Sequence, residues 1–287
     1  MTLTYNPAAR YPFKVSDVEF RRTPKRTLLA RVYQPQGAGP FPALLDLHGG
    51  AWNDKDRLAN APMDQALAAS GILVVAIDLT LAPEAPYPAS VQDANYGIRW
   101  LKAKAREWKG SAETVGALGS STGGYVVELC GMRPRDPRYN AHALPGSSGI
   151  DATLAYAVTR SPISDPYSRF QQAEKMKRAE MVAKTKNYFK PWETIFEGNP
   201  QQILDRGEAV TLPPLLIMQG NLDDNVLPAQ QEAFAASYRT AGGECQLEIF
   251  AGCEHMWVAQ PGPQTDRAHE LVKAFVARQL GALRRAA

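Results

Sequence analysis

Cysteine and histidine are scarce in this chain, three and four among 287 residues. Cys130, Cys245 and Cys253 form an odd set with no paired spacing, so free thiols in a reducing cytoplasm are expected rather than a disulfide framework. Long apolar runs are missing too. The longest, Ile72 to Ile77, is far short of the roughly 20 residues that cross a bilayer. The opening residues, Met1 to Pro7, carry neither a basic leader nor an apolar stretch of signal-peptide length, so nothing in them marks the chain for export. Charge of one sign is not in excess: 32 basic residues against 29 acidic ones leave a net +3, too little for a nucleic-acid-binding face. There is no internal repeat and no low-complexity tract. The length could hold one large or two ordinary domains and is ample to bury a real core; the motifs along the chain lead to the expectation of a single domain over residues 1–287.

What is present is a serine between glycines at a strand-to-helix boundary. Gly119-Ser120-Ser121-Thr122-Gly123 lies between a β-branched run, Thr114 to Leu118, and an apolar helical pattern beginning at Tyr125. A serine on so sharp a turn has its hydroxyl pushed into the open at the positive end of the helix dipole. The flanking glycines fit because a side chain at either position would collide across the turn. A five-residue match arises by chance often enough that its context has to carry the argument. Upstream, a buried-strand pattern, Phe41 to Leu47, runs into His48-Gly49-Gly50-Ala51-Trp52. Downstream, Leu215 to Met218 leads into Gln219-Gly220-Asn221-Leu222-Asp223-Asp224-Asn225-Val226, and Gln246 to Phe250 into Gly252-Cys253-Glu254-His255. Each chemically useful residue therefore follows a strand, where open parallel sheets bind ligands.

A serine hydroxyl is inert at neutral pH unless a base takes its proton during attack. Ser121 is the candidate nucleophile and His255 the candidate base, because His255 alone of the four histidines follows the last strand. His142 lies in a proline- and glycine-rich loop, His269 on the terminal amphipathic helix, and His48 is read as a structural hydrogen-bond donor beneath the glycine turn. A carboxylate must hold the other imidazole nitrogen and stabilise the imidazolium. Asp223 fits by its spacing from the strand, with Asp224 as the local rival and Asp165 as the distant one. Negative charge on the tetrahedral intermediate needs main-chain donors, which points to Gly50, Ala51 and Thr122. Glu84, in a proline-rich loop, is read as bracing backbone, and Cys253 as packing.

Around these residues, alternation near 15 to 35 predicts an antiparallel opening hairpin. Strand and helix signals then alternate, which predicts a mostly parallel sheet with helices on both faces. Ile72–Ile77 reads as a central strand, Val91–Trp108 as a helix and Ala155–Ser161 as a further strand. Between Asp165 and Leu212 the sheet pattern gives way to charged helical sequence rich in aromatics, read as a cap inserted at about residues 165–210. Seven basic residues against two acidic ones between Arg169 and Lys190 make its face basic, either a solvated face or a means of steering anionic substrates. The sheet resumes at Pro213, and a helix from about Pro263 closes the chain.

Over Leu45–Trp52, Leu81–Trp100, Gly119–Gly124 and Gly220–His255 the chain resembles α/β-hydrolase esterases with an HGG-type oxyanion loop, among them the hormone-sensitive-lipase-like and feruloyl/acetylxylan esterase-like groups. The resemblance implies the α/β-hydrolase fold and a cofactor-free, metal-free serine hydrolase that cleaves a carboxylic ester through an acyl-Ser121 intermediate. The sequence departs from that pattern in two places. Thr122 stands where many relatives carry alanine and puts a hydroxyl beside the oxyanion, and Ala51 replaces the third glycine. His-Gly-Gly-x-Trp also resembles arylformamidases, so an amidase using the same triad is the alternative; a ligand receptor on a retired hydrolase fold is a third reading. The expected partner is a small-molecule ester, open to an anionic one, with neither nucleic acid nor membrane; a homodimer is left open.

Overall fold

In a computed structural model, which describes residues 5–147 and 149–286, the chain opens with the antiparallel hairpin of β1 (Phe13–Arg22) and β2 (Thr27–Pro35). The alternation that predicts it is visible in β2, where Leu28, Ala30 and Val32 are all buried. Next come β3 (Ala43–Leu47), α1 (Ala61–Ala69), β4 (Leu73–Ile77), α2 (Ala89–Lys104), β5 (Gly116–Ser120), α3 (Thr122–Met132) and β6 (Ala157–Arg160). Four helices follow, α4 (Pro166–Lys175), α5 (Ala179–Tyr188), α6 (Thr194–Glu197) and α7 (Pro200–Asp205). The chain then returns to the sheet with β7 (Leu215–Gly220), α8 (Pro228–Thr240), β8 (Cys245–Phe250) and α9 (Pro263–Ala286).

The strands make one eight-stranded sheet in the order β1-β2-β4-β3-β5-β6-β7-β8, parallel from β4 to β8. Its interior strands β3 to β7 are buried along their whole length, as expected of a sheet covered on both faces. Side chains of α1 and α9, such as Met63, Leu67, Val272 and Phe275, pack with Leu44, Leu118, Val158 and Met218 on one face. Residues of α2, α3 and α8, such as Val91, Ile98, Val126 and Phe234, pack with Leu45, Ala117 and Ile217 on the other.

Several boundaries differ from those expected. Residues 105–108 form a 3-10 turn that ends α2 early, stopped at Lys109 by a φ of +59°. Thr114 belongs to a second 3-10 turn, Ala112–Thr114, so β5 starts two residues later, where Gly116 faces Leu44 of β3. Tertiary pairing here overrides the β-branched character of Thr114 and Val115. Helix α3 begins at Thr122 rather than Tyr125, directly after the nucleophile candidate. Strand β6 is shorter than Ala155–Ser161, because Ser161 turns out of the sheet at a φ of +44°.

Candidate active site

Ser121 occupies the single position between β5 and α3, with φ +55° and ψ −115°. Such a conformation costs a non-glycine residue of order 1–3 kcal/mol and persists only where its surroundings enforce it. Here they do. The Ser121 amide donates to the Arg160 carbonyl at 2.8 Å, and its own carbonyl accepts from Tyr125 at 3.1 Å. A Cβ at Gly119 would lie 2.4 Å from the Gly123 carbonyl, and one at Gly123 would lie 2.1 Å from the Leu47 carbonyl. Both glycines are therefore required by close backbone approach.

Loops after β7 and β8 are fastened together, which brings Asp223 to His255. The Leu222 amide donates to the Cys253 carbonyl at 2.9 Å and the Asn221 amide to the Phe250 carbonyl at 3.1 Å. His255 Nδ1–H donates to Asp223 Oδ2 at 2.8 Å, and its Nε2 lies 3.0 Å from Ser121 Oγ, placed to accept the hydroxyl proton. The carboxylate is itself held: Oδ1 accepts from the amides of Asn225 and Val226, and Oδ2 also from Gln219 Nε2. Burial pushes the Asp223 carboxyl up, but the hydrogen bond and charge of His255 and the Val226 amide outweigh it and hold it below the usual range. Burial pulls the His255 imidazole down; Asp223 raises it again, Arg160 and Arg169 oppose that, and the net shift is downward. A neutral imidazole at physiological pH results.

The two rival carboxylates are elsewhere. Asp224 is exposed and pairs with Arg178, while Asp165 caps α4 by accepting from the Ser168 amide at 3.0 Å. His142 stands against Arg21 and His269 on α9, away from Ser121, and His48 is buried with Nδ1 donating to the Gly49 carbonyl at 2.7 Å. Glu84 does not brace backbone through its carboxylate but pairs with Arg26 at 3.6 Å. All three cysteines are free and buried.

The glycine turn after β3 lies over the elbow. A Cβ at Gly49 would sit 3.2 Å from that of Ser121, and one at Gly50 only 2.0 Å from the Asp54 carbonyl, so Gly50 takes a φ of +108°. Ala51 and Trp52 follow at +52° and +61°. Among the described residues the amides of Gly50, Ala51 and Thr122 donate to no protein acceptor, which leaves them free to meet a developing oxyanion. The Thr122 hydroxyl, expected beside that oxyanion, instead accepts from the Trp52 amide at 3.4 Å and ties the turn to α3.

A cavity of about 210 Å³ opens from Ser121 and His255. Its lining includes Gly50 and Ala51, the apolar side chains of Met63, Leu118 and Met218, and the charged ones of Arg160, Arg169 and Lys184. Among the described residues no group of His, Cys, Asp and Glu is placed to hold a metal ion, and no helix is long and apolar enough to cross a membrane.

The sequence profile of BD-FAE matches residues 31–238, well over half of the chain. The chain belongs to the BD-FAE family. This BD-FAE chain is 28% identical over 198 residues to a probable carboxylic ester hydrolase, LipM, of Mycobacterium tuberculosis, covering 67% of this chain and 43% of LipM. It is 26% identical over 243 residues to the esterase LipC of the same organism, covering 83% of this chain and 58% of LipC. It thus spans about half the length of the curated relatives it matches. The crystal structure of EstE1, a thermostable carboxylesterase cloned from a metagenomic library, superposes with a TM-score of 0.76 at 22% identity, over 95% of this chain and 92% of that one. The BD-FAE chain therefore has the α/β-hydrolase fold.

Two cavity residues of this BD-FAE chain escaped the sequence reading. Arg160 closes an otherwise uncharged strand, and a lone charge in that position was the available signal. Arg169 was counted as one charge of a basic run, and nothing local distinguishes it from the exposed lysines beside it.

Proposed function

We propose that this protein is a serine hydrolase that cleaves a small carboxylic ester. The observation that carries the reading is the Ser121–His255–Asp223 chain of hydrogen bonds, at 3.0 and 2.8 Å, beside three unused amides. His255 takes the Ser121 proton as Oγ attacks the ester carbonyl, and Asp223 stabilises the imidazolium. The amides of Gly50, Ala51 and Thr122 receive the negative oxygen. His255 then returns the proton to the departing alcohol, and a water activated by the same imidazole releases the acid from Ser121. Helices α4 to α7 act as the cap, contributing Arg169 and Lys184 to the cavity wall. Three buried thiols suit a reducing, cytoplasmic setting. The ester is favoured over the formamide because the curated relatives carry ester-hydrolase names.

Initial rates of wild-type and Ser121→Ala protein on matched 4-nitrophenyl esters and N-formyl aryl amides test the reading. Ester turnover lost in the variant is expected. Turnover of amides alone would move the assignment to an amidase, and ester turnover undiminished in the variant would overturn it.

A further inference from the structure

Arg160 and Arg169 are only 5% and 3% exposed, yet neither lies within 4 Å of a carboxylate among the described residues. Asp223 and Asp46 act on Arg160, and Asp223 on Arg169, only from beyond contact distance, and Asp223 is already held by His255, Gln219 and two amides; a buried charge with no direct ion pair is costly. Arg160 Nε donates to Ser120 Oγ at 3.2 Å and Nη1 to the His255 carbonyl at 2.7 Å. Arg169 spends Nε and Nη2 on a single oxygen, Asn225 Oδ1, at 2.9 and 2.7 Å. Arg160 Nη2 and Arg169 Nη1 thus have no protein acceptor among the described residues, and neither is a fully occluded orphan. Both residues line the cavity that holds Ser121 and His255.

The two arrive from different parts of the fold. Arg160 shares a sheet face with Val158 at the end of β6, and Arg169 descends from α4. Lys55 and Lys184 line the same cavity; Lys184 pairs with Glu180 at 2.8 Å, and Asp54 is the one carboxylate on the lining among the described residues. Burial draws both guanidinium groups down to about 10, still far above neutrality, so they stay charged. The rest of the basic run is directed outward, where Arg178 meets Asp224 and Lys186 approaches Glu174.

We propose that Arg160 and Arg169 form a carboxylate-binding subsite, and that the natural substrate is an ester carrying a free carboxylate a few atoms from its scissile carbonyl. The inference rests on the ester-hydrolase reading and names its substrate class. A guanidinium edge presents paired N–H donors that match a carboxylate. Because the pair is buried, added salt should screen it little.

Two matched comparisons test it, followed by pH-stat titration because no chromophore is needed. Monoethyl succinate against ethyl pentanoate places the carboxylate on the acyl side; 3-butanoyloxypropanoate against butyl butyrate places it on the alcohol side. In one pair kcat/KM should favour the anionic ester by about ten-fold or more, and Arg160→Gln and Arg169→Gln should each reduce that ratio. Arg160 also holds the His255 carbonyl, so its loss will lower absolute rates, but that damage falls on both members of a pair and leaves the ratio as the readout. No preference in either pair overturns the proposal, as does a preference that both variants retain. If none of the four esters is cleaved, the hydrolase reading is what fails. Calorimetric binding of succinate to wild type then decides the subsite: binding weakened in both variants supports it, and no binding overturns it.

Discussion

The indole of Trp52 lies flat against the phenol of Tyr188, with ring centroids 4.7 Å apart and planes 6° from parallel. Trp52 belongs to the glycine turn and Tyr188 ends α5, so one stacked pair joins the proposed oxyanion donors to the helices above them. Tyr125 of α3 and Phe189 close the cluster edge-on to the indole, at 5.4 and 5.5 Å. Removing the ring by Tyr188→Ala should destabilise the fold by roughly 3–5 kcal/mol and lower kcat by displacing the turn. Tyr188→Phe keeps the stack and gives up only the bond to Ser90 Oγ, at about 1 kcal/mol. Urea denaturation of both variants, alongside their ester turnover, separates the two contributions.

Gly123 faces backbone that cannot yield, with the Leu47 carbonyl 2.1 Å and the His48 carbonyl 2.6 Å from a built Cβ. Gly123→Ala is therefore expected to separate α3 from β3 and to abolish turnover or folding. Gly262→Ala meets nothing within 4 Å and serves as the neutral control. Equal melting temperatures for the two variants would contradict this account.

As the proposed general base His255 has to be neutral, and burial holds its pKa below the ordinary 6.5. The acid limb of kcat/KM should accordingly fall below pH 6.5. Arg160 contributes to that depression, so Arg160→Gln should move the limb toward higher pH. A wild-type limb at or above 6.5 would remove the argument.

Asp46 and Asp64 are both fully buried, and burial raises both carboxyls, Asp46 to about 7. Asn60 Nδ2 donates to Asp46, but neither oxygen of Asp64 has a hydrogen-bond partner among the described residues. The folded chain holds protons here that the unfolded chain releases near pH 3.8. Stability from the pair is complete below that value and is lost as pH rises through the folded titration. The melting temperature should decline between pH 5 and pH 8 more in wild type than in Asp64→Asn; equal declines would show that the pair does not couple to folding.

Spacing alone singled out Ser121, Asp223 and His255, which the fold brings into one hydrogen-bonded chain, because each follows a strand within a few residues and the turn after a strand is a local matter. Gly119 and Gly123 were legible for the same reason, their requirement coming from a turn five residues long. The exact start of β5 was not, since Thr114 and Val115 carry the same β-branched signature as a strand and only the pairing of Gly116 with Leu44 decides where the ladder begins. Nor did spacing reveal that the Thr122 hydroxyl serves Trp52, a residue 70 positions away.

Arg160 and Arg169 mark the boundary most clearly. Their neighbours in sequence are a buried strand and a basic helix, and neither context says that the two guanidinium groups line the same cavity as Ser121. Local chemistry, the order of turn-forming and nucleophilic residues along the chain, is what the sequence by itself determined. The tertiary structure alone decided which side chains share a cavity, because that depends on strand order, on the alternation that turns Arg160 to one sheet face, and on where the fold places α4, which carries Arg169.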